Sequence, residues 1–481
     1  MSWPLIGLSL FATNVSSSSI IGLASSGYNT GISVFNYEWT GAIMLIIFAF
    51  FIVPFYLRYR LTTMPEYLKR RFDDRSSIYF SVLSIIMNVL IDIAGALYAS
   101  SLFLRGIFPE TDLFVFIIGM ALVTGLYTTA GGLRAVIRTD AIQAGLLGLG
   151  AATVAISLFW NFDSWPEVRS TIQPEFLSLV RPIDDLMIPW PTLFISLPIL
   201  GFYFMCSNQY MVQRVLSARS VDDGRKGAIF AAFLKLPLLF ILVLPGTLGR
   251  LVYPDLANAN LIFPELMFEF LPPGVLGLVL AGFVAALMSS IDSALTAVSS
   301  IATMDIYKRI KPDSSQKHLI RMGKIFILVA VLLASSWAPF IEQFPTLWEY
   351  LQAVLSYLSP PVVTCFLFGL FWKKASADGA FFSLLLGSLF ASALIVNNYV
   401  FNIIDPIHYL YSATIIFLFS SVVMVVISLK YPDQTYFESY QVWKHANDTS
   451  AEATFQSWYK DYRLYGIAVC VCTGLLVVMF W

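Results

Sequence analysis

Charge is the first thing this sequence lacks. Only 12% of its 481 residues are Asp, Glu, Lys or Arg, about half the share usual for a soluble domain. A net charge of −1 leaves no basic surface for nucleic acid. Cysteine is scarce as well. Cys206, Cys365, Cys470 and Cys472 all fall inside apolar stretches, which excludes a disulfide framework and gives no redox compartment. No nucleophile–base pair and no metal-ligand spacing is present, so an enzyme reading has no support. The N-terminus has no basic segment and no small-residue cleavage site, and no signal peptide is expected.

What the chain has is apolar residues, 58% of the total, with a mean hydropathy of +0.75. Thirteen apolar spans are expected near 3–26, 34–57, 77–105, 112–130, 134–161, 190–213, 227–253, 274–304, 322–341, 346–372, 379–401, 408–429 and 464–481. Placing Met1 inside puts 24 of the 29 Lys and Arg in inner loops, including 214–226, and four in outer loops. This bias predicts a multi-pass protein of the cell membrane with its C-terminus outside. Thr63 and Glu66 have capping-box spacing, with Pro65 early, for a short helix on the inner surface. Residues 430–463 read as a cytoplasmic loop.

Polar residues inside these spans mark function. Burying an unpaired carboxylate at the centre of a bilayer costs about 2.5–3.5 kcal/mol on insertion scales. In the span around 282–308, Asp292 lies beside a stripe of Ala286, Ser289, Ser290 and Ser293. A bound cation would offset its cost; a satisfied Asp on a small-residue packing face is the alternative. Asn14 and four serines interrupt the first span, and the helix is expected to unwind there, because these side chains compete for backbone hydrogen bonds. Glu38, Asp92, Asp140, Lys235 and Gln352 complete the set. With Asp292 these five come to four acids, one base and one amide, which suit a neutral polyhydroxylated solute plus a small cation.

Long ordered motifs then carry a resemblance: FATNVSSSSIIGLASSGY, TMPEYLKRRF, YTTAGGLRAVIRTDAIQ, NQYMVQRVLSA, MSSIDSALTAVSSIATMDIYK and YLQAVLSYLSPP. With these the chain resembles the sodium/solute symporter family, in its sodium/glucose and sodium/galactose branch. The resemblance implies an all-α membrane fold of two five-helix inverted repeats with a leucine-transporter-like core, followed by three C-terminal helices. The repeats would be 1–161, with its first helix broken, and 190–372. An extracellular loop at 162–189 would separate them, and the added helices would fill 373–481. Relatives usually carry a helix before the broken one, and this chain begins at the broken helix.

The resemblance also implies ligands. A sodium site would use the carbonyls of Ala12, Val15 and Ala286 with the hydroxyls of Ser289 and Ser290. Some relatives have a second sodium site, at positions that are Asp140, Ser289, Asp292 and Ser293 here; Asp292 replaces a hydroxyl or small residue. Substrate contacts carry over to Asn14, Glu38, Lys235 and Gln352. Ser19 stands where relatives have Gln or His, Asp92 where they have Asn or Lys, and Phe204 where a tyrosine closes over the sugar. Gly201 and Met205 replace an Asn or Thr and a tryptophan. The expected activity is sodium-coupled symport of a hexose or polyol by alternating access, with sodium, the solute and the bilayer as partners. Sialic acid, inositol or an amino acid are alternative solutes, and a transporter-like sensor or channel is an alternative role.

Overall fold

The computed structural model describes residues 1–131, 145, 148–185, 187–432 and 461–481. Among these residues every regular element is a helix; the sole β-type pairing is an isolated bridge between Arg181 and Pro189. Nine of the described helical stretches are long and apolar enough to cross a membrane. A tenth is the pair Leu347–Leu358 and Pro360–Phe371, bent by 53° where Pro360 and Pro361 follow Ser359. Leu113–Leu126 and Gly148–Phe159 are shorter apolar helices. Asp140 and most of the 430–463 loop lie outside the described residues.

The first span is two helices, Trp3–Asn14 and Ser17–Thr30. Val15 ends the first with non-helical angles, and Ser16 is extended. The serine run explains the restart. Ser16 Oγ accepts from the Ser19 N–H at 3.3 Å and so caps the second helix, while Ser19 Oγ donates to the Asn14 carbonyl at 2.7 Å. A helix C-terminus and a helix N-terminus, of opposite dipole sign, therefore meet inside the protein.

Small residues place this break against the long Val221–Val252 stretch. A Cβ on Gly7 would come within 2.9 Å of the Gly227 carbonyl, and one on Gly227 within 2.7 Å of Ile6. Above the break, a Cβ on Gly246 would sit 2.2 Å from the Ala24 carbonyl. Contacts of this closeness require glycine and let the backbones approach, as in other membrane helix pairs. Midway between them the same stretch buries Lys235, which is 1% exposed. Two π-helical segments, Asn88–Ile93 and Tyr203–Ser207, carry Asp92, Phe204 and Met205 to the same level.

Two readings of the sequence need correction. Met64–Arg71 is a helix, but the Thr63 side chain does not cap it. Glu66 accepts instead from the Thr62 N–H at 2.7 Å, and the Thr63 hydroxyl donates to Asp305 Oδ1 at 3.1 Å. Donating to the buried carboxylate turns the hydroxyl away from the helix N–H groups that it would otherwise accept from. Arg71 and Arg214, counted as loop charges, are buried inside the protein at 8% and 1% exposure. Arg71 Nε donates to the Gly369 carbonyl at 2.9 Å.

Candidate functional site

A cavity opens at the helix break. Asn14, Ser19, Glu38, Asp92, Phe204, Lys235 and Gln352, the seven substrate contacts implied by the resemblance, all line it. Gly201 and Met205 line it too. Its charged centre is Lys235, whose Nζ lies 2.5 Å from Glu38 Oε2 and also donates to Asn14 Oδ1. Glu38 is 4% and Asn14 8% exposed, so the ammonium is desolvated and held by its pairing. Asn14 ends the first half-helix, so the pair joins the break to the Val221–Lys235 helix. Asp92 lies beside the Asn208 side chain.

Aromatic residues that the sequence did not single out complete the cavity. Tyr37 and Trp348 pack edge to face, with ring centroids 5.6 Å apart, and both line it. Trp348 is 6% exposed, and its indole Nε1 has no hydrogen-bond partner among the described residues. A buried indole N–H ordinarily has an acceptor, and a solute hydroxyl would supply one. In the sequence Trp348 sits in an apolar span, where nothing separates a binding tryptophan from a packing one.

Of the residues of the implied sodium site, Ala12 and Val15 lie at the break and Ser290 lines the cavity beside it. Ser290 lines the cavity together with Thr13, Asn14 and Ser16. Its hydroxyl donates to the Ala286 carbonyl at 3.0 Å, one turn back on the Pro273–Ile301 helix. The carbonyl keeps a second lone pair and the hydroxyl oxygen keeps its own, all hard donors suited to an alkali cation. Tyr210 donates to the Thr13 carbonyl at 3.2 Å and Ser19 to that of Asn14. Among the described residues the carbonyls of Ala12 and Val15 receive no such side-chain bond. The Val15 side chain faces away, into a small apolar pocket with Ile20 and Ala151. The Ser289 side chain lies outside the description.

The residues of the implied second cation site are not all brought together. Asp140 is outside the described residues. Asp292 and Ser293 are each 1% exposed, and the Ser293 hydroxyl accepts from Arg214 at 2.7 Å. Among the described residues, no group of three or more His, Cys, Asp or Glu could hold a metal.

The model of the sodium:solute symporter family matches residues 1–387. The sodium/myo-inositol cotransporter 2 of Oryctolagus cuniculus is 34% identical over 479 residues, covering 89% of this chain and 70% of that relative. The sodium/glucose cotransporter 1 of the same species is 32% identical over 481 residues, covering 89% and 72%. Among solved structures, a substrate-bound, outward-open sodium-coupled sialic acid symporter superposes with a TM-score of 0.76 at 22% identity. It covers 90% of this chain and 91% of its own. Mhp1, a nucleobase-cation-symport-1 family transporter, superposes with a TM-score of 0.58 at 14% identity over 91% and 95%. These two establish the leucine-transporter-like fold of the core. The chain is a transporter rather than an enzyme, a multi-pass membrane protein that moves a solute with sodium, and it belongs to the sodium:solute symporter family.

Proposed function

We propose that the transported solute is a neutral polyhydroxylated molecule, a hexose or a cyclitol such as inositol. The observation that carries this reading is the Lys235–Glu38–Asn14 group at the helix break. It presents a donor and acceptors side by side in a buried cavity. Lys235 and Glu38 can each strengthen a hydrogen bond to a hydroxyl by their charge. Tyr37 and Trp348 give an aromatic wall for the apolar face of a ring. The glucose and myo-inositol cotransporters among the relatives fit this chemistry. An acidic sugar, the substrate of the sialic acid symporter, is disfavoured because Glu38 and Asp92 both line the cavity and only Lys235 opposes them.

Sodium would bind to the Ala12, Val15 and Ala286 carbonyls and the Ser289 and Ser290 hydroxyls. Bound there, it ties the broken span to the Pro273–Ile301 helix and favours the outward-open state. Solute binds beside it, the core rocks, and both leave inward. The coupling is a free energy between the two sites, so solute must raise sodium affinity as much as sodium raises solute affinity. An inside-negative membrane adds about 2.3 kcal/mol per charge per 100 mV.

Uptake of labelled glucose, galactose, myo-inositol and sialic acid into proteoliposomes tests the assignment. Sodium-dependent uptake of a neutral polyol, competed by other polyols and not by sialic acid, is expected. Preference for sialic acid would overturn the assignment and leave the family intact.

A further inference from the structure

On its outer face the helix bundle leaves an apolar groove that the transport cavity does not use. Trp3, Ile229, Phe230, Phe233, Val469 and Cys472 line it. They come from three helices, Trp3–Asn14, Val221–Lys235 and Tyr462–Met479. Trp3 and Phe230 pack edge to face with centroids 5.5 Å apart, and Phe233 is 48% exposed. All three helices begin at one end of the groove, where Lys226 joins the lining. There the Trp3 N–H donates to Asp223 Oδ1 at 2.9 Å, and the Arg225 guanidinium lies 4.5 Å over the Tyr462 ring.

The charge at this end is not balanced by its neighbours. Arg225, half-buried, and Arg463, exposed, both set their guanidinium against Tyr462, Arg463 at 5.8 Å. Arg225 Nε donates to the Ala49 carbonyl at 3.3 Å. Among the described residues neither guanidinium pairs with a carboxylate. The acids beside them are engaged: Asp222 pairs with Lys226 at 2.6 Å, and Asp461 Oδ1 accepts from the Arg463 N–H at 2.9 Å. Two guanidiniums on one ring, with no shared carboxylate, are a seat for an anion with several oxygens.

We infer that the groove binds an anionic phospholipid, its phosphate at Arg225 and Arg463 and an acyl chain along Phe230, Phe233 and Cys472. Acyl chains fill any apolar groove in a bilayer, so the two arginines are what select the lipid. A planar guanidinium meets two phosphate oxygens at once, and basic pockets between membrane helices hold anionic headgroups. The lipid would brace the half-helix that ends at Asn14 and the helix that ends at Lys235 against the last helix. Its binding therefore stabilises the fold, whichever solute is carried.

The test is native mass spectrometry and melting curves of the detergent-purified protein, titrated with phosphatidylglycerol, phosphatidylcholine or inorganic phosphate. Phosphatidylglycerol should be retained at about one molecule per chain and should raise the melting point, and the other two should do neither. Arg225→Gln with Arg463→Gln should weaken phosphatidylglycerol binding roughly 30-fold. Lys317→Gln with Arg321→Gln removes the same charge from exposed positions on the Gln316–Trp337 helix and should leave it unchanged. Cys472→Trp fills the groove, keeps both arginines and should also reduce retention. Equal binding of the two phospholipids would overturn the inference, as would native affinity in the double arginine variant. So would inorganic phosphate saturating the same shift, the mark of a free-anion site, or a dimer that phosphatidylglycerol does not dissociate, the mark of a second copy in the groove. If the arginine variant does not accumulate, native phosphatidylglycerol binding by Cys472→Trp overturns it.

Discussion

Replacing Lys235 by Met keeps much of the side chain's bulk and removes its charge. In the native protein the ammonium lies 2.5 Å from Glu38, at 2% and 5% side-chain exposure. Breaking a buried pair by removing one member costs about 3–5 kcal/mol, because the other charge stays behind. At about 1.4 kcal/mol per tenfold, this is roughly a 10²–10⁴-fold shift towards less stable states. The single variant should therefore melt several degrees lower in detergent and give little uptake. Adding Glu38→Gln removes the stranded carboxylate, so the double variant should regain most of the stability. It should not regain transport, because the charge-assisted bonds to solute, worth about 1.5–3 kcal/mol each, are gone. The assays are a fluorescence melting curve and the half-saturating solute concentration in proteoliposomes. A double variant that transports with native half-saturation would refute the assignment of this pair as the solute contact.

Three further outcomes are expected. Ser290→Ala removes a hydroxyl oxygen from the proposed sodium site, and the half-saturating sodium concentration should rise about 10–100-fold; an unchanged sodium curve would remove Ser290 from the site. Gly246→Ala drives a Cβ to 2.2 Å from the Ala24 carbonyl, backbone against backbone. It should cost about 1–3 kcal/mol and lower the melting point, whereas Gly119→Ala, with nothing within 4 Å of its Cβ, should not. Equal effects of the two substitutions would contradict the glycine contact. In the loop at 162–189, burial pushes the Asp185 pKa up, but the Ile188 N–H, Arg181 and the Met187 N–H outweigh it and hold it below its ordinary value. Its stabilisation of the loop is thus complete above the ordinary carboxylate range, near about 3.9, and is lost as pH falls through the lower folded-state value. Amides of 181–189 should lose hydrogen-exchange protection in acid, and Asp185→Asn should abolish that pH dependence; a variant with the native profile would show that Asp185 is not the cause.

The parts of this protein written in local chemistry were legible in the sequence. Asn14 and the serine run announced a break, because they offer caps and acceptors that a continuous membrane helix does not need. Glu38, Asp92 and Lys235 announced a site, because charge inside an apolar span is costly. Relations across space were not legible. Arg214 looked like one more inner-loop charge, since nothing in QYMVQRVL shows that its helix turns inward to reach Ser293. Thr63 and Glu66 had the right spacing for a capping box, yet Asp305, 242 positions later, took the hydroxyl. Trp348 became a wall of the cavity only when the Leu347–Leu358 helix packed beside the broken span.

The central claim is that sodium at the helix break drives a neutral polyol through the cavity at Lys235. Uptake of labelled myo-inositol and hexoses into proteoliposomes, with an inward sodium gradient set against an equal potassium gradient, tests it most directly. Accumulation above equilibrium with sodium alone, abolished when the gradient is collapsed, is the predicted result. Equal uptake in sodium and potassium for every polyol would contradict it.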